Sequence, residues 1–360
     1  MSYNILYVVS RLRSGGPSTQ LRFLIEHMDR SLFRPAILTL SPEDEKTAQP
    51  DFESMGVPID SLSMSRYEGL VQGVIRIREE VKRRKPDILH TQGLRPDILA
   101  AVTLRELHQV ATARNYPYDD YPMKYGRVRG YPAAWTHLFA FRRLDNVVAC
   151  SNSIRTDLAQ HDISAQVIHN GVDTSAYQPV FEEQKRELRQ RLDLPIDRNI
   201  FVSVGSLIPR KKPKTVVEGF ARSDVAEHAQ LVMLGDGSLR DDCETVAQEY
   251  PEAEIAFPGF VDNVHEYLQA SDYFVSASLS EGLPNTVLEA MASGLPVALS
   301  DIGPHREAIR PGQVGVLFDT NSVTALAEGI NRLQRMDADE LGREARQVAC
   351  DYFSAEKMSS

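Results

Sequence analysis

Two glutamates, Glu281 and Glu289, stand eight positions apart around Gly282-Leu283-Pro284-Asn285 and the start of an apolar helical pattern, Val287, Leu288 and Met291. Gly294-Leu295-Pro296 stops that pattern, and residues 297–299 read as the next strand. Glu281 therefore falls in a loop and Glu289 about a turn into a helix, with the helix N-terminus between them. That terminus offers free N–H groups and a positive dipole end. A carboxylate accepts two O–H donors at fixed spacing. The combination suits a polyol joined to a phosphate, the chemistry of a nucleotide sugar. The plain alternative is a helix with two solvated acids.

Other strand ends add to this pattern. Val202-Ser203-Val204 runs into Gly205-Ser206-Leu207-Ile208-Pro209-Arg210-Lys211-Lys212-Pro213, three consecutive cations before a helix. Cations there suit a pyrophosphate whose charge grows as it leaves; a solvated basic turn would look the same. Gly15-Gly16, between the first strand and a helix, permits close approach of the backbone to a ligand, or an ordinary turn. It is not G-x-G-x-x-G, so the dinucleotide fingerprint is absent. Gly235-Asp236-Gly237 is a third strand-to-helix turn, and Pro258-Gly259-Phe260-Val261 follows the next strand. His90 follows a strand at 87–89, and Arg114-Asn115 follows one at 110–113. Asp119-Asp120 and Asp241-Asp242 are adjacent pairs rather than spaced metal ligands. Cys150, Cys243 and Cys350 are isolated, which fits neither a zinc site nor a disulfide framework and suits a reducing cytoplasm.

These residues need rigid elements to hold them. Short apolar runs at 5–9, 36–40, 88–90, 110–113, 147–150 and 167–168 alternate with helical patterns such as 20–28, 69–85 and 95–107. The rhythm restarts at 200–204, 231–234, 255–257, 273–276, 297–299 and 314–318. Such alternation implies parallel sheets with helices on their faces. The break is the turn-rich stretch from Asn170-Gly171-Val172-Asp173 to Pro179, dividing the chain into 1–170 and 171–360. A length of 360 residues suits two domains.

Composition narrows the function. A net charge of −10 argues against general nucleic-acid binding. Residues 1–170 hold 22 Lys and Arg against 19 Asp and Glu, whereas residues 171–360 hold 18 against 31. Basic runs in the first half (Lys82-Arg83-Arg84-Lys85; Lys124, Arg127 and Arg129; Arg142-Arg143) read either as solvated helix faces or as contact with an anionic membrane or acceptor. Residues 116–131, rich in Tyr, Pro and cations, read as a loop that either selects the acceptor or packs on the surface. No apolar run reaches the ~20 residues that a membrane span needs.

The stretch from Ser280 to Val297 resembles the E-x7-E element of family 4 retaining glycosyltransferases, and the resemblance runs over nearly the whole chain. It implies the α/β GT-B fold, two Rossmann-like doubly wound parallel-sheet domains facing across a cleft. The first would be the acceptor side and the second the nucleotide-sugar donor side. The implied function is transfer of a hexosyl group, with retention, from a nucleotide-diphosphate sugar to an acceptor hydroxyl in cell-surface polysaccharide or glycolipid synthesis. The alternatives are a sugar-nucleotide epimerase or a non-catalytic nucleotide-sugar-binding protein on the same fold. By resemblance, Glu281 faces the donor sugar and Glu289 accepts the ribose hydroxyls. Gly282, Leu283, Pro284 and Asn285 hold sugar and phosphate oxygens, and Gly15 and Gly16 face the diphosphate. Gly235, Asp236, Gly237, Phe260 and Val261 flank the nucleoside. Lys211 matches the family lysine. The family arginine falls on Ser206, leaving Arg210 to supply a guanidinium. The usual acceptor-side histidine is replaced by Arg114-Asn115, with His90 nearby. No metal or other cofactor is expected. The expected partners are a nucleotide sugar, a carbohydrate or lipid-linked acceptor, and the inner face of the plasma membrane touched peripherally from the cytoplasm through the N-terminal domain. The family's closing helix, which crosses back to the first domain, is expected to be short or absent.

Overall fold

The computed structural model describes residues 2–65, 68, 69, 72–103, 107–309 and 314–359. The chain forms two units, Met1–Asn170 with Ala355–Ser360, and Gly171–Ser354.

The first unit carries β1 (Tyr3–Val9), β2 (Phe33–Thr39), β3 (Ile59–Ser61), β4 (Ile88–Gln92), β5 (His108–Ala113), β6 (Asn146–Ala149) and β7 (Ala165–Val167) in the order β3-β2-β1-β4-β5-β6-β7, each neighbour parallel. Parallel strands are covered on both faces, so they read as continuous apolar runs; Ile5, Leu6, Tyr7, Val8 and Val9 are all buried. β3 has no such run. It is an edge strand of sequence Ile-Asp-Ser, with Asp60 and Ser61 exposed. The register Val9↔Gln92 sets the C-terminal ends of β1 and β4 level where the strand order reverses.

The second unit carries β8 (Asn199–Val204), β9 (Ala229–Leu234), β10 (Glu254–Gly259), β11 (Tyr273–Ser276), β12 (Val297–Ser300) and β13 (Gly315–Phe318) in the order β10-β9-β8-β11-β12-β13, again parallel. Its core includes Phe201, Phe220, Val275, Leu326 and Ile330. The order reverses between β8 and β11. In open parallel sheets, ligands bind beyond the strand C-termini at such a reversal.

Three features differ from the sequence reading. Residues 116–131 are not a loop; they belong to two helices, Pro117–Tyr125 and Arg127–Phe141, joined at Gly126 with φ 76°. Pro117 occupies the first turn, where its missing N–H costs nothing, and Asp119 and Asp120 complement the helix dipole there. The segment from Ala355, grouped by sequence with the second half, forms a helix (Ala355–Ser359) that packs in the first unit, with the Ser359 hydroxyl donating to Phe23 O at 3.4 Å. The helical patterns at 69–85 and 95–107 are realised as Gly73–Arg84 and Leu94–Thr103; Leu70, Val71, Leu104, Arg105 and Glu106 of those spans lie outside the described residues.

Candidate active site

The second unit brings two of the sequence motifs together at its strand reversal. After β8 the chain turns through Gly205 into a 3-10 turn, Pro209–Lys211; after β11 it reaches Ser278 and Glu281. Glu281, 7% exposed, receives Lys211 Nζ at 2.5 Å on one carboxylate oxygen and Arg210 Nη1 at 3.0 Å on the other. Arg210 also donates to Ser280 O at 2.5 Å. Burial alone would raise the Glu281 carboxyl. Lys211 and then Arg210 outweigh it, hydrogen bonds from Lys211 and Ser278 add to them, and the result is a value of about 2. Glu281 is therefore ionised at any physiological pH and fixes two cations at the sheet edge. The third cation does not join them. Lys212 turns away to Thr320 O at 2.8 Å and Asn321 Oδ1 at 3.1 Å. Ser206, at the place of the family arginine, is exposed.

Glu289 lies in the helix Asn285–Ala292, whose start at Pro284 has no side-chain cap. Its carboxylate has no hydrogen-bond partner among the described residues, and burial pushes it up to about 7 against the pull of Lys211. A carboxylate held half-buried and unpaired is poised to accept from hydroxyl groups. Gly282, Leu283 and Pro284 are buried and set the helix start, with Asn285 half-buried at its first position.

The glycines of the next turn have a packing role. A Cβ on Gly235 (φ 126°) would lie 2.1 Å from Gly205 O, and one on Gly237 would lie 2.4 Å from Leu207 O. Their absence lets this turn dock on the β8 loop, where Asp236 O accepts from Leu207 N at 3.0 Å. Phe260 is 66% exposed beside half-buried Val261 at the end of β10.

Sequence reasoning missed a buried relay behind Glu281. His305 is fully buried. Its Nδ1 donates to Ser300 O at 2.8 Å, Ser300 Oγ donates to Ser278 O at 2.6 Å, and Ser278 hydrogen-bonds Glu281. Burial, opposed by Glu281 and the Ser300 carbonyl and reinforced by Lys211, holds His305 down at about 4, so its Nε2 is an unprotonated acceptor, with no partner among the described residues. The signal available was a histidine just past a strand end, too common to single out.

In the first unit, Gly15 (φ 146°) precedes the helix Gly16–Glu26 at the end of β1. His90 is bound to Thr112 Oγ1 at 2.7 Å and packs on Tyr7; burial, with Arg114 adding, brings it down to about 3. Its imidazole is therefore neutral. Arg114 and half-buried Asn115 follow β5.

Known proteins resemble this chain in sequence and in fold. A family model described as Glycosyl transferases group 1 matches residues 184–348, and one described as Glycosyltransferase Family 4 matches residues 14–176. The putative glycosyltransferase EpsD of Bacillus subtilis is 26% identical over 327 residues, covering 87% of this chain and 82% of that protein. The UDP-Gal:alpha-D-GlcNAc-diphosphoundecaprenol alpha-1,3-galactosyltransferase of Escherichia coli is 26% identical over 285 residues, covering 75% and 71%. Among solved structures, the sucrose-phosphate synthase of Thermosynechococcus elongatus has a TM-score of 0.84 at 20% identity, covering 99% of this chain and 96% of that one. HepE of Anabaena in complex with UDP-glucose has a TM-score of 0.83 at 17% identity, covering 99% and 97%. The fold they share with it is GT-B, and with both halves matched the chain belongs to family 4 of the glycosyltransferases.

Proposed function

We propose that this glycosyltransferase moves a hexosyl group, with retention of anomeric configuration, from a uridine diphosphate sugar to a hydroxyl of a carbohydrate or lipid-linked acceptor in polysaccharide or glycolipid synthesis. The observation that carries the reading is the pairing of Arg210 and Lys211 on Glu281, a short way from the unpaired carboxylate of Glu289. In this reading Glu289 accepts the two ribose hydroxyls. Lys211 and Arg210 face the diphosphate, whose charge grows as the glycosidic bond breaks, and Glu281 holds them oriented. The leaving phosphate oxygen takes the acceptor proton on the same face of the sugar, which preserves configuration. Fixed cations of this kind do the work of a divalent metal, so none is required. The uridine base is supported by HepE, solved with UDP and UDP-glucose, and by the E. coli relative named for UDP-Gal. The same relative, named for a diphosphoundecaprenol acceptor, supports a lipid-linked one. A merely binding protein would have no use for two cations buttressed by a buried carboxylate.

Peripheral membrane contact from the cytoplasm belongs to the same proposal. No helix among the described residues is long and apolar enough to cross a membrane. The helix Arg127–Phe141 instead turns Val128, Tyr131, Trp135 and Phe139 outward at helical spacing, with Val128 89% and Trp135 59% exposed. The Trp135 and Phe139 rings stack at 5.8 Å, and the Arg143 guanidinium lies 4.8 Å over Phe139. Aromatic rings among exposed cations suit the headgroup layer of an anionic leaflet.

The test is product stereochemistry. Incubation with α-linked UDP-sugars and an undecaprenyl-diphosphate-linked sugar, read by the anomeric proton coupling of the product, is expected to give an α linkage. A β linkage overturns the retaining mechanism, and binding of UDP-sugars without transfer or hydrolysis overturns the enzymatic reading.

A further inference from the structure

Arg114 stands just past β5 at the C-terminal edge of the first sheet, beside Gln92, the last residue of β4. It is a half-buried cation with no carboxylate partner among the described residues. Its Nη1 donates to Asn170 Oδ1 at 2.8 Å and its Nη2 to Gln92 Oε1 at 3.4 Å, both neutral partners. Its Nε is buried with no partner among the described residues. Burial lowers its pKa, and the one opposing influence is the thiol of Cys150 rather than a carboxylate.

Gln92 completes the picture. Because its Oε1 is taken by Arg114, the orientation of its amide is set, and Nε2 is left as a donor. That Nε2 is also buried, with no partner among the described residues, in a residue only 8% exposed. Two neighbouring groups thus offer N–H donors, with no acceptor among the described residues. Neutral His90 close by adds no negative charge. A buried unsatisfied donor is costly, the more so on a charged group. The missing partner is by its chemistry an oxyanion. A guanidinium prefers the flat, two-oxygen face of a carboxylate or phosphate.

We propose that Arg114, with Gln92, binds a carboxylate or phosphate group carried by one of the two sugar substrates, and that this makes the enzyme selective for an acidic sugar. The inference rests on the reading of the chain as a nucleotide-sugar-dependent transferase. Two sources share the chemistry. The anion belongs either to a uronic acid on the donor or to an acidic group on the acceptor.

Calorimetric titration of the whole protein separates them. One arm compares UDP-glucuronate with UDP-glucose. The other, with UDP saturating, compares glucose 1-phosphate with glucose. The wild type is expected to prefer the anionic member of one pair by about 10- to 100-fold, the worth of a charge-assisted contact. The arm in which the preference lies assigns it to donor or acceptor. Arg114→Gln is expected to erase the preference, and Arg114→Lys to restore only part of it, while the affinity for UDP alone stays within about two-fold in both variants. Unchanged UDP affinity also serves as the control for folding. No preference in either arm by a wild type that binds UDP, or a preference that survives Arg114→Gln, overturns the anion site. Failure of the wild type to bind UDP overturns instead the reading on which the inference rests.

Discussion

Replacing Glu289 by Gln removes a group that the folded protein holds at a cost. Burial raises this carboxyl from 4.5 to about 7. The folded state therefore binds the Glu289 proton more tightly than the unfolded chain does. Its contribution to stability is fully present below pH 4.5 and is lost as the pH rises through 7. At about 1.4 kcal/mol per pK unit, the shift corresponds to about 3 kcal/mol at pH 8, reduced to about 2–3 because the carboxyl is partly open to water. The amide has the same shape and does not ionise. Glu289→Gln is thus expected to match the wild type near pH 4.5 and to exceed it at pH 8, raising the melting temperature of the second unit by about 4–10 °C in scanning calorimetry. The titration of His305, held low by burial, is common to both proteins and cancels in the comparison. The same variant should bind UDP about 10- to 100-fold more weakly at pH 8, because a ribose hydroxyl then meets an amide instead of a charged acceptor. A variant no more stable than wild type at pH 8 would refute the desolvated carboxylate. Undiminished UDP affinity would refute its ribose role.

Further outcomes follow from the same geometry. Lys211→Ala should cost mainly turnover, about 10²–10³-fold, because it acts on charge that develops in the transition state; Lys212→Ala, whose ammonium is bound to Thr320 and Asn321, should leave steady-state kinetics near wild type, and the reverse ranking would misassign the two lysines. Transfer should persist in EDTA; loss on chelation that a single divalent ion restores would reveal a metal requirement. Trp135→Ala combined with Arg127→Gln and Arg129→Gln should release the protein from vesicles of 30% phosphatidylglycerol while sparing UDP-sugar hydrolysis, each cation contributing about 1 kcal/mol near an anionic surface. Equal sedimentation of variant and wild type would exclude this helix face as the contact.

The paired glutamates and the cationic turn are legible in sequence because they are local. Glu281, the helix start and Glu289 lie within one strand-to-helix connection, and the β8 turn carries its cations in sequence. That Arg210 and Lys211 close on Glu281, while Lys212 does not, depends on β8 and β11 being neighbours in space, which spacing along the chain does not encode. The relay from His305 through Ser300 to Ser278 joins the ends of β11 and β12 and was hidden for the same reason. β3 escaped notice because an edge strand can be polar. The helices between Pro117 and Phe141 were misread as a loop because Pro122, Gly126, Gly130 and Pro132 oppose helix formation locally. Tertiary contacts override them: Gly130 packs where a Cβ would come within 2.5 Å of the Pro122 backbone, and Tyr121, His137 and Asp97 are joined by hydrogen bonds of 2.7 Å in the interior.

The docking of Ala355–Ser359 on the first unit has a consequence for biosynthesis. The chain leaves that unit at Asn170 and rejoins it only after Ser354, where Val172 and Ser354 pair as a parallel bridge. A ribosome therefore exposes an N-terminal unit whose last piece is still some hundred and eighty codons away. The helix Gly16–Glu26 must wait for Ala355, fully buried in the finished protein, until the whole second unit has been synthesised. Vectorial folding can complete the second unit before the first, and a nascent chain stalled before Ser354 would present an incompletely covered helix to the folding machinery of the cell.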